Sequence, residues 1–163
     1  MNKRIYIVLS VLIFIFLVVR AIYVPLVHDE LATFFYYIQP FEYNPLTGAN
    51  PDANNHILNS ILGAISHNLF GYSSLSIRLP NLLSFIFYAF FVFKIGSKFK
   101  NEIVAWTYYI AMLCAIYFVQ FFALSRGYGM SMSFLMGAIY YTLSLYEKPK
   151  FNTILFNSFY LIL

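Results

Sequence analysis

His28, Asp29 and Glu30 stand side by side in a chain of 163 residues that holds only six acidic side chains and three histidines. Their types suit three kinds of chemistry. A carboxylate there would cap a helix by accepting backbone N–H groups, and Asp29 is placed as an N-cap. A carboxylate assisted by a histidine would take and return a proton, with Asp29 and Glu30 as the catalytic candidates. Nitrogen and oxygen donors together would hold a divalent cation, the only cofactor these residues suggest. A second polar group lies in PDANNHILNS, residues 51–60, where Asn55 and His56 open an apolar-periodic stretch. Asp29, Glu30 and His56 are the residues a cation would use, although their spacing matches no compact ligand motif. A histidine so placed is more often structural, or a hydrogen-bonding partner of a substrate.

The third group is SRGYG, residues 125–129. An arginine near hydrocarbon is costly unless it snorkels, pairs with an acid or meets an anion. The fork of donors on Arg126, set among glycines, matches phosphoryl oxygens. Arg78 in IRLP has a similar choice between a lipid headgroup and a loop acid. Arg20 lies inside an apolar run and is expected to face other helices or water, with neither Asp29 nor Glu30 an evident partner by spacing. His67 is expected to be solvated, and Cys114 to be packed.

These groups are conspicuous because the rest is so apolar: 61% hydrophobic, 10% charged, mean hydropathy +0.73. A soluble domain has about a quarter of its residues charged. A water-facing exterior is excluded, and an all-α polytopic membrane protein is predicted, because lipid accepts helices in which every backbone group is paired. The basic residues form no patch, which excludes nucleic acid as a partner; the lipid bilayer is the expected surrounding.

A bilayer core needs about 20 apolar residues at ~1.5 Å each. Runs of that kind fall at about 5–26, 79–95, 103–122, 128–146 and 151–163, giving about five spans with the last cut short at Leu163. The first reads as an uncleaved anchor. Pro80 is expected at the first position of its helix. Between the first two spans, residues 28–76 form one long polar region. Leu31, Phe34, Phe35 and Ile38 recur at helical spacing up to Pro40; Ile57, Leu58, Ile61, Leu62, Ile65 and Leu69 do so up to Gly71. Both predict amphipathic helices lying at the membrane interface, joined by an irregular loop. Lys3, Arg4, Lys94, Lys98, Lys100, Lys148 and Lys150, seven of the ten basic residues, share one side, which should be cytoplasmic. Region 28–76 then faces outward with Asp29, Glu30, Glu42 and Asp52. A multi-pass cell-membrane protein with a cytoplasmic N-terminus follows.

The order of these pieces resembles the N-terminal part of the GT-C superfamily of polytopic glycosyltransferases, nearest to bacterial relatives of protein O-mannosyltransferases and of the aminoarabinose transferases that modify lipid A. The likeness is carried by HDE, NNHILNSILGAI, LFGYSSLSIRLPNLLSF and SRGYGMSMSFL, and covers nearly the whole chain. Relatives commonly have proline after the histidine where Ile57 stands here. The resemblance implies transfer of a sugar from a polyprenyl-phosphate donor to an acceptor on the outer face. Asp29 would deprotonate or position the acceptor hydroxyl, Glu30 would support it, and Arg126 would meet the carrier phosphate. His28, Asn55, His56 and Arg78 complete the candidate substrate-binding set. Members of the superfamily run to several hundred residues, so the front portion of a longer enzyme, inactive by itself, is expected. A transporter or lipid flippase binding an ion or headgroup is the alternative, but it would keep its ionisable residues near mid-membrane. A structural membrane protein would leave the clustered polar residues without a purpose.

Overall fold

The computed structural model describes residues 3–40, 55–147 and 151–162, and among these the regular elements are all helical. The irregular loop expected after Pro40, with Glu42 and Asp52, lies outside the described residues, as do Lys148 and Lys150. Helix α1 runs Lys3–Tyr23, α2 His28–Thr33 continuing as a π-helical turn Phe34–Ile38, and α3 Ile57–Phe70. Then come α4 Ser74–Gly96, α5 Glu102–Cys114, α6 Ile116–Val119 with a 3-10 turn Gln120–Ala123, α7 Tyr128–Glu147 and α8 Phe151–Ile162.

Helices α1 and α4, of 21 and 23 residues, are long and apolar enough to cross a membrane. A third crossing arises if α5 and the α6 segment, bent by 48°, count as one. This marks a membrane protein. The expected span 103–122 is broken within: Ala115, at φ −70 and ψ 84, leaves the helical region between its halves. No proline or glycine stands at the break, so the sequence carried no local signal of it. Helix α7, at 20 residues, has the length but less apolar character, and α8 has 12 residues.

The start of α4 also differs from expectation. Ser73 Oγ accepts from Ser76 N at 3.0 Å while Ser73 N donates to Ser76 Oγ at 3.1 Å, a reciprocal cap that begins the helix at Ser74. Pro80 therefore falls inside the helix rather than at its first position. A proline there leaves the carbonyl four residues back without its N–H. That carbonyl is Ser76 O, and Ser66 Oγ of α3 donates to it at 2.6 Å.

Helix α4 is the centre of the packing. Antiparallel to it, α1 sends the Tyr6 hydroxyl to Ala89 O at 2.6 Å. Parallel to it, α7 keeps one register along its length: Met130 N donates to Asn81 Oδ1, Ser133 Oγ to Ser84 O, and Lys98 Nζ to Glu147 Oε2, each pair 49 residues apart. Leu17, Phe85, Tyr88, Val92, Tyr109 and Phe122 fill the core between these helices. One end of the bundle thus gathers Lys3, Lys98 and Glu147; the opposite end gathers the C-terminus of α1, α2, and the N-termini of α4 and α7.

Helix α3 turns its apolar side away from the protein. Asn59, Ser60, Gly63, Ala64 and Ser66 are buried, whereas Leu62, Ile65 and Leu69 are exposed. Gly71, at φ 74, ends it as expected. On α2 the buried face is Glu30, Thr33, Phe34, Tyr37 and Ile38, while Phe35 is exposed. Phe34 and Ile38 are buried as expected, whereas Leu31 is half-buried and Phe35 exposed, so the face lies one position earlier than the expected line at the same helical spacing.

Candidate functional site

Two arginines meet the acidic pair, and their surroundings are opposite. Arg78 is fully buried, and all five of its N–H groups are taken. Its Nε donates to Glu30 Oε1 at 2.8 Å and Nη2 to Glu30 Oε2 at 2.6 Å. The others go to the carbonyls of Ala21 at 3.0 Å, Val24 at 2.7 Å and Pro25 at 3.1 Å, the unserved C-terminal end of α1 and the chain just beyond it. Glu30 is equally saturated. Besides Arg78 it accepts from Val27 N at 3.0 Å and from Ser125 N at 2.7 Å, filling the four acceptor positions of a carboxylate.

This bears on three expectations. The N-cap of α2 is Val27, not Asp29, and the side chain serving it is Glu30 reaching back from three residues on. Glu30, with no exposed surface, spends all its acceptors inside the protein. Arg78 takes the second of its two expected choices, pairing with an acid of the loop, and has no donor left for a headgroup. Together they join α1, α2, α4 and the turn before α7, as a buried ion pair with every hydrogen bond made must do to be tolerated.

Asp29 and Arg126 sit beside this junction. The Asp29 side chain is 60% exposed, and His28 Nδ1, on an almost fully exposed ring, lies 3.5 Å from its Oδ1. Arg126 Nη2 stands 3.5 Å from Asp29 Oδ2, with the guanidinium 5.9 Å from the centre of the Tyr128 ring. Arg126 is 10% exposed at its side chain, yet among the described residues that one loose contact is its only ion pair.

His56 precedes α3 and packs edge-on against Tyr128, with ring centres 4.7 Å apart. Burial, and after it the charge of Arg126, hold its imidazole below the ordinary value, so it is neutral at physiological pH. Gly127 has φ +70, and a Cβ there would lie 2.7 Å from His56 Cβ. A cavity of about 140 Å³ opens at this point, lined by His56, Asn59, Gly127, Met130, Ser131 and Phe134 among others. Asn55 accepts from Ser60 Oγ at 2.6 Å, which ties it to the start of α3.

The structure therefore brings together Asp29, His28 and Arg126, with His56 against the Arg126–Tyr128 turn, and turns Glu30 and Arg78 inward. Asp29, Glu30 and His56 do not form a ligand set; among the described residues no three His, Cys, Asp or Glu side chains gather as one. Arg20 faces Gln120, with Nη2 3.5 Å from Oε1, and so turns toward another helix as expected. His67 is packed edge-on against Phe34, 5.3 Å between ring centres, rather than solvated, and Cys114 is exposed rather than packed.

Residues that sequence reasoning passed over hold the site from beneath. Asn81 Nδ2 donates to Asn59 Oδ1 at 2.7 Å, Asn59 Nδ2 to Ser125 Oγ at 3.3 Å, and Met130 N to Asn81 Oδ1 at 3.2 Å. Asn59, Asn81 and Ser125 are buried, and their chain of bonds links α3, α4 and the start of α7. The available signal was Asn81 itself, an amide set in an apolar run directly after Pro80. Comparison with protein-family models, with curated proteins and with solved structures finds no match.

Proposed function

We propose that the chain is a membrane glycosyltransferase of the GT-C kind, or the front portion of one, moving a sugar from a polyprenyl-phosphate donor to an acceptor on the outer face of the membrane. In this reading five helical segments cross, the N-terminus is cytoplasmic, and α2 and α3 lie along the outer interface. The observation that carries it is the contrast between the two arginines. Arg78 is saturated, whereas Arg126 is nearly buried with one carboxylate oxygen at 3.5 Å. A guanidinium so placed is an anion site in waiting, and a phosphate on a lipid carrier fits its fork and its depth.

The chemistry follows from the pair. The acceptor hydroxyl gives its proton to the exposed carboxylate of Asp29 as its oxygen bonds to the sugar's anomeric carbon. The bond from that carbon to the phosphate oxygen breaks, and Arg126 stabilises the charge left on the phosphate. His28, beside Asp29, is positioned to pass the proton to water. His56, neutral and against the Arg126 turn, offers a hydrogen bond without repelling the guanidinium. Arg20, the residue that would speak for transport, lies within the last turn of α1, toward the same end as the site.

The test is transfer of radiolabelled sugar from a polyprenyl-phosphate donor by membranes carrying the full-length gene product. Asp29→Asn is expected to lower transfer by about 100-fold or more while leaving membrane insertion intact. Transfer unaffected by Asp29→Asn, or none that depends on the lipid-linked donor, refutes the reading.

A further inference from the structure

Glu30 touches neither the open space beside Asp29 nor that beside Arg126, yet it is bonded to the chain next to both. It follows Asp29 directly, and its Oε1 accepts from the backbone N–H of Ser125, the residue before Arg126, at 2.7 Å across 95 residues of sequence. Its Oε2 accepts from Val27 N at 3.0 Å, fixing the first turn of α2, on which Asp29 rides. Arg78 holds the carboxylate itself in place with two bonds and anchors it to the end of α1 with three more. Ser125 is held from its other side by Asn59.

We infer that Glu30, oriented by Arg78, is a positioning residue that sets the distance between Asp29 and Arg126 by clamping the start of α2 to the Ser125 backbone. The inference rests on the glycosyl-transfer reading for its functional meaning, but the spacing itself is independent of it. A carboxylate is required because three N–H partners besides Nε of Arg78 converge on two oxygens; an amide would turn an N–H against one of them. The clamp also explains how Asp29 and Arg126 stay together through a contact of only 3.5 Å. A proton acceptor and a phosphate contact must hold their separation closely, since a shift of about 1 Å can cost about 100-fold in rate.

Thiol cross-linking reads the spacing directly. In the full-length protein with Cys114→Ser, Asp29→Cys and Arg126→Cys are introduced together and treated with a short bifunctional maleimide in membranes. A second protein carries Lys98→Cys and Glu147→Cys, a control pair at the other end of the bundle where the native side chains are 2.7 Å apart. Glu30→Leu with Arg78→Met, which removes both buried charges at once and so avoids an unpaired ion, is then added to each. The expected result is a severalfold fall in cross-linking at 29/126 with no change at 98/147. In the otherwise native protein the same double substitution lowers kcat about 100-fold with little change in KM. Unchanged cross-linking at 29/126, or an equal fall in both pairs, overturns the positioning role. If the cross-linking pattern holds but the native protein transfers no sugar, the clamp stands and the enzymatic reading fails alone.

Discussion

The hydroxyl of Ser66 donates to the carbonyl of Ser76, and that carbonyl is the one Pro80 leaves without a backbone partner. The helix pair α3–α4 therefore repairs inside itself the bond that proline removes. Ser66→Ala is expected to destabilise by about 1–3 kcal/mol, the cost of an orphaned buried acceptor. In a Pro80→Ala background, where an N–H is restored, the same change should cost much less. Thermal unfolding in detergent of the two singles and the double gives the coupling; equal effects of Ser66→Ala in both backgrounds would disprove the link.

Removing one side of the Arg78–Glu30 pair strands a charge. Arg78→Ala is predicted to lose about 3–5 kcal/mol, which is enough to unfold many domains. Glu30→Leu with Arg78→Met should recover part of that, since no charge is stranded but the N–H groups of Val27 and Ser125 and the carbonyls of Ala21, Val24 and Pro25 lose their partners. The measurement is the ranking of melting temperatures: native above double above single. A double variant no more stable than Arg78→Ala contradicts the account.

Gly127 combines a positive φ with a close approach to His56. Gly127→Ala adds strain of about 1–2 kcal/mol to the backbone and pushes its methyl into the imidazole. The turn that carries Arg126 must then shift. The expected outcome is greater loss of donor binding than of stability, checked by retention on immobilised polyprenyl phosphate beside a melting curve. An alanine variant that binds like the parent would show the glycine to be incidental.

His56 links stability to pH. Its folded value lies below the ordinary 6.5, chiefly from burial and secondarily from Arg126. The unfolded chain therefore binds the proton more readily. The stability this histidine contributes is complete above about 6.5 and is lost as pH falls from there toward the folded value. His56→Gln should flatten the fall in melting temperature below about pH 6.5 relative to the parent, with His28 and His67 common to both proteins. Identical slopes would place the pH response elsewhere.

Much of the scaffold was legible because apolar runs are a strong signal. Helices α1 and α7 begin and end within a few residues of the expected spans, and Gly71 marks the end of α3. The break at Ala115 was not legible, since neither proline nor glycine marks it. On α2, Phe34 and Ile38 were foreseen in the buried face, but Glu30, Thr33 and Tyr37 were not, because polar side chains and a tyrosine give no apolar signal of burial. At the site, Asp29 and Arg126 stood out as expensive residues in an apolar chain. That Arg78 meets a loop acid was one of its two expected choices; that the acid is Glu30 was hidden, because the pair spans 48 residues. Asn59 and Ser125 gave no signal at all, because each is ordinary in its own neighbourhood.

The inverted polarity of α3 has a consequence for what holds this end of the protein together. Its inward side offers amides, hydroxyls and a glycine beside the lone methyl of Ala64, so attachment to α4 is by stitching more than by oil. Such seams gain strength where nothing else can serve the thread, and loosen wherever water competes for it. The surroundings of the molecule are thus a working part of its architecture: the less water reaches this seam, the more firmly the helix is sewn down.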